Sequence, residues 1–413
     1  MRRRMSRIEW AAACVAALAS AGYAAETLRI RVEGPAMDVR DVPVCVGVDM
    51  PGGANIAGMG VELRNAANGV TVPGQFVIGE DGKAQLWWVM VEAKAGQASE
   101  WEARVDPSVK EDWKAFSWKD TQGRWLDLQR DGRPVTRFMY EYDESSSQRR
   151  FETYKPFLHV YGINGQRLTN GPDGQGEYTA KAVLYPHHRG IFIGWNKLSC
   201  GGRNYDLWHM PNVEQVCREV RTVAAGPVLA RSIAMVDWRD AEDKPIIVEE
   251  RITTVYRQDD PVDVLIDVVS KLKAVGGDVL LGGDPEHAGF QYRAHDDVAK
   301  GPKEGKARYL FHAEGIDASK DTDLPWVGMT YGLGINSYSV LLMDHPDNPG
   351  PNRYSAYRDY GRFGAFFVKE IPAGRTLVLK YRLWVTHAGL NRSGCAARDA
   401  VFDKPLEARL ITR

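Results

Sequence analysis

The sequence predicts an all-β protein in two parts: a small N-terminal β-sandwich-like domain followed by a large antiparallel β-sandwich. Three observations carry that prediction. Apolar residues recur at every second position in many short runs, the period of a half-buried strand. Turn formers punctuate those runs, with 41 Gly and 21 Pro, in a chain that also holds 12 Trp and 17 Tyr, aromatics that strands favour. No β–helix–β alternation and no helix-length amphipathic segment stands out, so the strands pair antiparallel, one face to the core and one to water. The 413 residues are 44% hydrophobic and 26% charged, which excludes disordered, collagen-like and coiled-coil chains. A net charge of −1 gives no basic field for nucleic acid.

Taken in order, residues 1–24 read as a signal peptide. Arg2, Arg3, Arg4 and Arg7 form a positive region, an Ala-rich apolar core follows, and Gly22-Tyr23-Ala24 offers small residues for cleavage after Ala24. The expectation is a periplasmic or secreted protein. The apolar run is shorter than the roughly 18–20 residues a membrane span needs, and no other stretch is long enough.

Residues 25–112 form the predicted N-terminal β accessory domain. Leu28, Ile30 and Val32 alternate, as do Val42, Val44, Val46 and Val48, and Pro43 places that second strand at a sheet edge because it cannot donate to a ladder. Asn68-Gly69 and Asp81-Gly82 sit where hairpins turn. A boundary is expected near 106–111, where Asp-Pro-Ser and mixed charges interrupt the pattern. From there to residue 413 strand signals continue, at 231–238, 247–256, 262–269, 339–343 and 376–384, the second and third joined by the loop 257–261. Open sheets of such size rarely stay single, so a two-sheet sandwich is expected.

With Cys14 removed in the leader, Cys45, Cys200, Cys217 and Cys395 remain. In an oxidising compartment an even count allows two disulfides, and Cys200 with Cys217 is the pair favoured by closeness in sequence. No C-x-x-C occurs, which excludes a zinc ribbon or a thioredoxin-like motif.

Polar chemistry concentrates in three stretches. His187, His188 and Arg189 lie with Trp195 in 185–195, Trp208-His209 ends 205–209, and Glu286, His287, Gln291, Arg293 and His295 lie in 284–295. Imidazole titrates near neutrality and moves protons, Arg holds a carboxylate or a developing oxyanion, and Trp and Tyr offer flat faces for ring stacking. Together they suit a sugar. In a strand His187 and His188 would face opposite sides, unless the Pro186 turn splays the chain. Continued as a strand from Glu286, the segment puts His287, Gln291, Arg293 and His295 on one polar face, the expected cleft lining. The later loop adds Arg353, Tyr357 and Arg358 as substrate contacts.

Metal binding is the competing chemistry. Five histidines across three segments could furnish a three-His site, but none is spaced H-x-H or H-E-x-x-H. His295-Asp-Asp297 and His345-Pro-Asp347 match only the H-x-D half of a facial triad, so no metal ligand is assigned from sequence. No phosphate loop, dinucleotide fingerprint or Gly-x-Ser-x-Gly elbow occurs.

Four stretches, Tyr154-Lys-Pro-Phe-Leu-His159, Pro186-His-His-Arg-Gly190, Glu286-His-Ala-Gly-Phe-Gln-Tyr-Arg293 and Asp344-His-Pro-Asp-Asn-Pro349 with Arg358-Asp-Tyr-Gly361, resemble a family of secreted bacterial proteins labelled methane oxygenase PmoA-like, over roughly 115–390. The family label implies membrane-bound methane oxidation, against which stand the lack of a spanning segment and of a convincing copper site in the sequence. The resemblance implies instead an association with polysaccharide degradation. Where the family continues into Asn-Gly-x-x-Phe-Trp, this chain has Gly201-Gly-Arg-Asn-Tyr-Asp-Leu-Trp208. A fold-level similarity to galactose-mutarotase-like supersandwiches rests on analogy alone.

The functional expectation is an exported carbohydrate-active enzyme, a glycoside hydrolase or lyase before an epimerase. His188 and His287 are its acid and base, and Glu286 is an orienting or alternative base. Arg189 and Arg293 hold anions, Trp195 and Trp208 stack on the sugar, and His187, His209, Gln291, His295, Arg353, Tyr357 and Arg358 complete the binding surface. The alternatives are a non-catalytic glycan-binding protein and a metal-dependent enzyme with a His cluster. No cofactor is assigned, with a divalent metal on the histidines left open. The partner is a carbohydrate, with no nucleic acid and no membrane span.

Overall fold

A computed structural model describes residues 26–49, 60–106, 113–175, 178–179 and 181–411. The expected leader, residues 1–24, and most of the boundary segment expected near 106–111 lie outside the described residues. The protein is all-β, built from antiparallel sheets, with α-helices among the described residues at Ser147–Thr153, Asp296–Lys300 and Arg392–Asp403. No helix among the described residues is long and apolar enough to cross a membrane.

The N-terminal strands form a seven-stranded sheet that begins with the Pro43 strand, Val39–Val48, at one end of its order. Its alternation is realised in burial, with Val42, Val44, Val46 and Val48 all inside. Gly69 and Gly82 both adopt positive φ in the hairpin turns expected of Asn-Gly and Asp-Gly. The far end of this sheet is closed by the last strand of the chain: Ala408–Leu410 pairs with Glu26–Val32, Ile30 opposite Leu410. Helix Arg392–Asp403 packs Ala397 and Val401 into the same core.

Two eight-stranded sheets make the larger sandwich. One runs Arg353–Tyr354, Arg362–Phe366, Ala288–Arg293, Ile191–Trp195, Phe157–Val160, Arg133–Met139, Trp125–Arg130, Phe116–Thr121. The other holds the five strands expected from sequence alternation, with Leu229–Arg239, Pro245–Tyr256 and Val264–Ala274 as a meander followed by Thr376–Thr386 and Asn336–Asp344. Their inner faces share one apolar core, in which Phe290 stacks on Tyr381 at 4.3 Å between ring centroids and Trp195 meets Trp238 at 6.1 Å. Each such buried aromatic contributes on the order of 2–3 kcal/mol by leaving water. An ion pair, Glu249 with Arg251, is admitted between the sheets. Glu249, fully buried, accepts two hydrogen bonds from Arg251 and one each from Trp238 Nε1 and Ser270 Oγ, all at 2.8–2.9 Å. A buried carboxylate persists only when its oxygens are satisfied in this way.

The disulfide expected between Cys200 and Cys217 is not formed: Cys45, Cys200, Cys217 and Cys395 are all free thiols. Cys200 sits in a short strand of a separate four-stranded sheet, whereas Cys217 sits in the edge strand Glu214–Ala225 of the large one. Closeness in sequence did not bring them together.

Candidate functional site

Four histidines meet beside the strand Ile191–Trp195, two from the turn that feeds it and two from turns bonded to its far end, where Leu207 N–H donates to Trp195 O and Asn196 N–H to His287 O. His187 and His188 stand on the turn that feeds it. Tyr185 has φ 52° and accepts from His188 N–H at 3.0 Å, so the chain curls and both rings leave on the same side, 4.3 Å apart between centroids. Gly190, at φ 42°, ends the turn where a Cβ would lie 2.4 Å from Leu158 O. Only glycine fits there. The strand rule that separates adjacent side chains therefore does not apply to this pair, and the Pro186 turn does the splaying.

His209 and His287 arrive on two copies of one local device. In Asp206-Leu-Trp-His209 the aspartate accepts from the backbone N–H of Trp208 and of His209, and its other oxygen lies 2.8 Å from His209 Nδ1. In Asp284-Pro-Glu-His287 the aspartate accepts from Glu286 N–H at 3.0 Å and lies 2.9 Å from His287 Nδ1. Each carboxylate fixes the tautomer with the proton on Nδ1, leaving Nε2 as a free lone pair. The D-x-x-H spacing shared by these segments is the signal in the sequence that would have singled out Asp206 and Asp284. The rings converge, with His187 4.4 Å from His209, His209 5.2 Å from His287, and His188 5.9 Å from His287. Ligand atoms of His187, His188 and His287 all lie within 4.8 Å of one another.

Burial divides the four. His188 is 2% exposed and neither of its ring nitrogens has a hydrogen-bond partner, nor does Nε2 of His187. Burial pushes the His188 imidazolium well below its usual range, Arg362 and His187 adding repulsion, and it pushes His187 down to about 2, with Lys155 and His209 contributing. Burial and the neighbouring positive charges thus disfavour the protonated form of His188. His209 and His287 are each about a third exposed on the solvent side of the cluster.

Around the rings stand Tyr185, 5.9 Å from His188, and Tyr360, 6.5 Å from it, both outside the sequence-based selection. Lys155 was also missed. It is 1% exposed, donates to Trp208 O at 2.7 Å and lies 3.9 Å from the centre of the Phe192 ring, and burial drives its ammonium well below the ordinary value.

Several expected substrate contacts have structural duties instead. Arg189 is fully buried, donates to the carbonyls of Phe151, Glu152 and Pro186, and lies 4.0 Å over the Tyr154 ring. Arg293, also buried, holds the carbonyls of Ala294 and Tyr360 and pairs with Asp296. Arg189 thus ties the helix Ser147–Thr153 to the Pro186 turn, and Arg293 holds the backbone at Ala294 and Tyr360 and the Asp296 carboxylate. Trp195 points into the core between the sheets and donates to Phe367 O, and no sugar reaches it. Trp208 does border the site, edge-on to His188 at 5.3 Å, but it is fully buried and forms the floor rather than a stacking platform.

The polar face read from Glu286 onward is not a cleft. His287 lies in a turn before the strand Ala288–Arg293, all of which is buried. Gln291 donates to Pro285 O and Ala288 O inside that fold. His295 caps helix Asp296–Lys300 by accepting from Asp297 N–H, and His345 does the same for Asp347, which explains both H-x-D matches without a metal. Arg353 donates to Ser319 O. Glu286 forms a cluster of its own with Arg358, Arg362 and Tyr357. Burial works to raise its carboxyl, but the hydrogen bond from Arg358 and the charge of Arg362 outweigh that and hold it below the usual carboxylate range. It is an anion tied to two arginines, unsuited to the role of alternative base.

A two-sheet sandwich with four histidines gathered beside one of its strands is thus the class that fold and site define. The chain belongs to a family of unknown function, DUF6807, whose model matches residues 125–398, two thirds of the sequence and every segment that forms the centre. That match overturns the resemblance to methane oxygenase PmoA-like proteins, for which the comparisons give no support. The motifs behind that resemblance fall in this domain, and the buried roles of Arg189 and Arg293 account for two of them structurally. No curated protein matches the sequence. Among solved structures the chain is similar to an alpha-mannosidase from Enterococcus faecalis V583, at TM-score 0.45 and 8% identity over 94% of this chain and 46% of that one. It is similar also to a protein in the glycosyl hydrolase family 38 from Enterococcus faecalis, at TM-score 0.42 and 8% identity over 94% of this chain and 48% of that one. The chain spans less than half the length of either.

Proposed function

We propose that the protein is an exported enzyme acting on a sugar or a glycosidic linkage, with the four-histidine cluster as its active centre. The convergence of His187, His188, His209 and His287 from three separate chain segments, two of them oriented by aspartates, is the observation that supports this reading. Clusters of oriented imidazoles at a rim are chemistry rather than packing, since a core needs none of them. Partly exposed Tyr185 and Tyr357 take the stacking role expected of Trp195 and Trp208, and Arg358 beside Glu286 remains the solvent-side charged contact.

The bordering carboxylates are already engaged, Asp206 and Asp284 by histidines and Glu286 by arginines. A glycosidase of the two-carboxylate kind needs one carboxyl free to donate a proton and one free to attack or activate water. The arrangement favours imidazole-centred lyase or hydrolase chemistry over that route.

The test is turnover of a panel of neutral and uronate-containing oligosaccharides by the wild type, His209→Ala and His287→Ala. Removing a group that moves protons or holds the reacting centre costs about 10²–10⁴-fold in kcat/KM. Unchanged turnover in both variants refutes the assignment, and saturable binding without turnover replaces it with a glycan-binding function.

A further inference from the structure

We propose that His187, His188 and His287 hold a divalent transition-metal ion, with His209 beside it on the open side of the site. The inference rests on the reading of this cluster as the working centre, and it adds the ion that the residues present call for.

Three independent features of the cluster converge on this. First, its size is right. A tetrahedral zinc with Zn–N bonds of about 2.0–2.1 Å separates neighbouring nitrogens by roughly 3.3 Å, and the three ligand atoms already lie within 4.8 Å of one another. Small rotations about the side-chain torsions close the difference. Second, the ring nitrogens have nothing else to do. His187 Nε2 and both nitrogens of His188 are buried without a hydrogen-bond partner, and a buried lone pair or N–H left unmatched is costly. A cation at the centre of the three rings would satisfy one nitrogen on each. Third, the outer partners are those of a metal site. Asp284 holds Nδ1 of His287, and Asn196 Nδ2 in turn holds the other oxygen of Asp284 at 2.9 Å, so the imidazole presents Nε2 inward with its orientation fixed two layers deep. Asp206 does the same for His209.

The donor set names the class of ion. Three neutral imidazoles with no thiolate and no carboxylate in the ligand shell suit zinc, copper, nickel or ferrous iron, and not calcium or magnesium, which want oxygen ligands. Asp206 and Asp284 supply negative charge behind the rings, against the positive charge of the nearby Lys155 and Arg362. His209 falls outside the close trio yet lies 4.4 Å from the His187 ring, the place of a group that meets whatever occupies the open position.

The experiment is calorimetric titration of EDTA-treated, dialysed protein with zinc chloride alone, in the absence of any sugar, repeated with cobalt(II) to read the visible absorption of a nitrogen-ligated ion. The wild type is expected to take up one ion per chain at this site. His188→Ala and His287→Ala should each weaken uptake at least 100-fold, Asp284→Asn 10- to 100-fold, and His209→Ala less than about tenfold. His287 is partly exposed, so His287→Ala decides the matter if His188→Ala does not fold. No uptake by the wild type, or equal affinity in the wild type and His287→Ala, overturns the proposal. Zinc uptake that depends on these histidines, in a protein that turns over no member of the panel, keeps the metal centre and removes the sugar assignment. Turnover by metal-free protein together with no zinc uptake by the wild type removes the metal centre and keeps the enzyme.

Discussion

Replacing Asp284 by asparagine separates charge from shape at the histidine centre. One carboxylate oxygen serves Glu286 N–H at 3.0 Å and His287 Nδ1 at 2.9 Å, and the other accepts from Asn196 Nδ2 at 2.9 Å. Asparagine keeps the first oxygen and sets an NH2 against the NH2 of Asn196. That conflict is removable, because Asn196 Oδ1 is buried with no partner, and a flip of the amide turns it into the acceptor required. The stability cost then reduces to exchanging an ionised acceptor for a neutral one. A hydrogen bond to a charged group contributes about 1.5–3 kcal/mol and one between neutral groups about 0.5–1.5, so the expected loss is on the order of 1–1.5 kcal/mol. The functional cost is larger, 10- to 100-fold in kcat/KM on any substrate the panel yields, because the ring loses the basicity its carboxylate gave it. Urea unfolding and steady-state kinetics on the same preparation measure the two. A stability loss above about 3 kcal/mol, or kinetics equal to wild type, refutes the division into a positioning charge and a replaceable shape.

Other expectations follow from features far from the histidines. Arg251→Met alone should cost roughly 3–5 kcal/mol by leaving Glu249 as an unpaired buried anion, and Glu249→Leu combined with Arg251→Met should recover most of it in urea titrations; a double variant no better than the single one contradicts the pairing. Trp195→Phe should lower stability by roughly 1–3 kcal/mol through lost packing while leaving KM for the panel substrate unchanged, the reverse of what a sugar platform would do. Neither added dithiothreitol nor Cys200→Ser with Cys217→Ser should lower the thermal midpoint from its value without reductant in the way that loss of a disulfide does, commonly by 2–5 kcal/mol of stability. Asp344 and Asp399 give the pH prediction. Burial raises each carboxyl to about 7, opposed at Asp344 by hydrogen bonds from Asn348 and Asn352 and reinforced at Asp399 by the charge of Asp403. A folded-state value above the unfolded one means the folded chain binds the extra proton, so this contribution is full below pH 3.8 and is lost as pH rises through about 7. Across that window the Asp344 contribution declines by up to about 4 kcal/mol at 1.4 kcal/mol per pKa unit, and Asp399→Asn should flatten part of the decline in unfolding measured from pH 5 to 8.

The fold was open to reading because strands write a period of two into the chain. Val42 to Val48, the meander from 231 to 269 and the hairpin glycines at 69 and 82 all occur as strands and turns where alternation and turn chemistry place them. The His-rich stretches do meet, through His187, His188, His209 and His287, while His295 stays apart as a helix cap. Roles within the centre were not readable, for two physical reasons. Whether an arginine or tryptophan faces substrate or core depends on which side of a sheet it leaves, and Arg189, Arg293 and Trp195 leave on the buried side. The face rule also assumes a strand, and His287 sits in a turn one residue before its strand begins. Lys155 carried no local signal at all, because its burial is made by Phe192 and Trp208, far along the chain.

The pairing of Ala408–Leu410 with Glu26–Val32 has a consequence for synthesis. A sheet whose first strand must wait for a partner nearly four hundred residues later cannot complete its hydrogen-bond ladder until the end of the chain has reached the compartment where it folds. Until then one side of Glu26–Val32 presents an unpaired edge, the kind of surface that recruits strands from other molecules. The yield of folded protein should therefore be set by how well that nascent edge is shielded, and chaperone supply should matter more to it than the strength of the finished core.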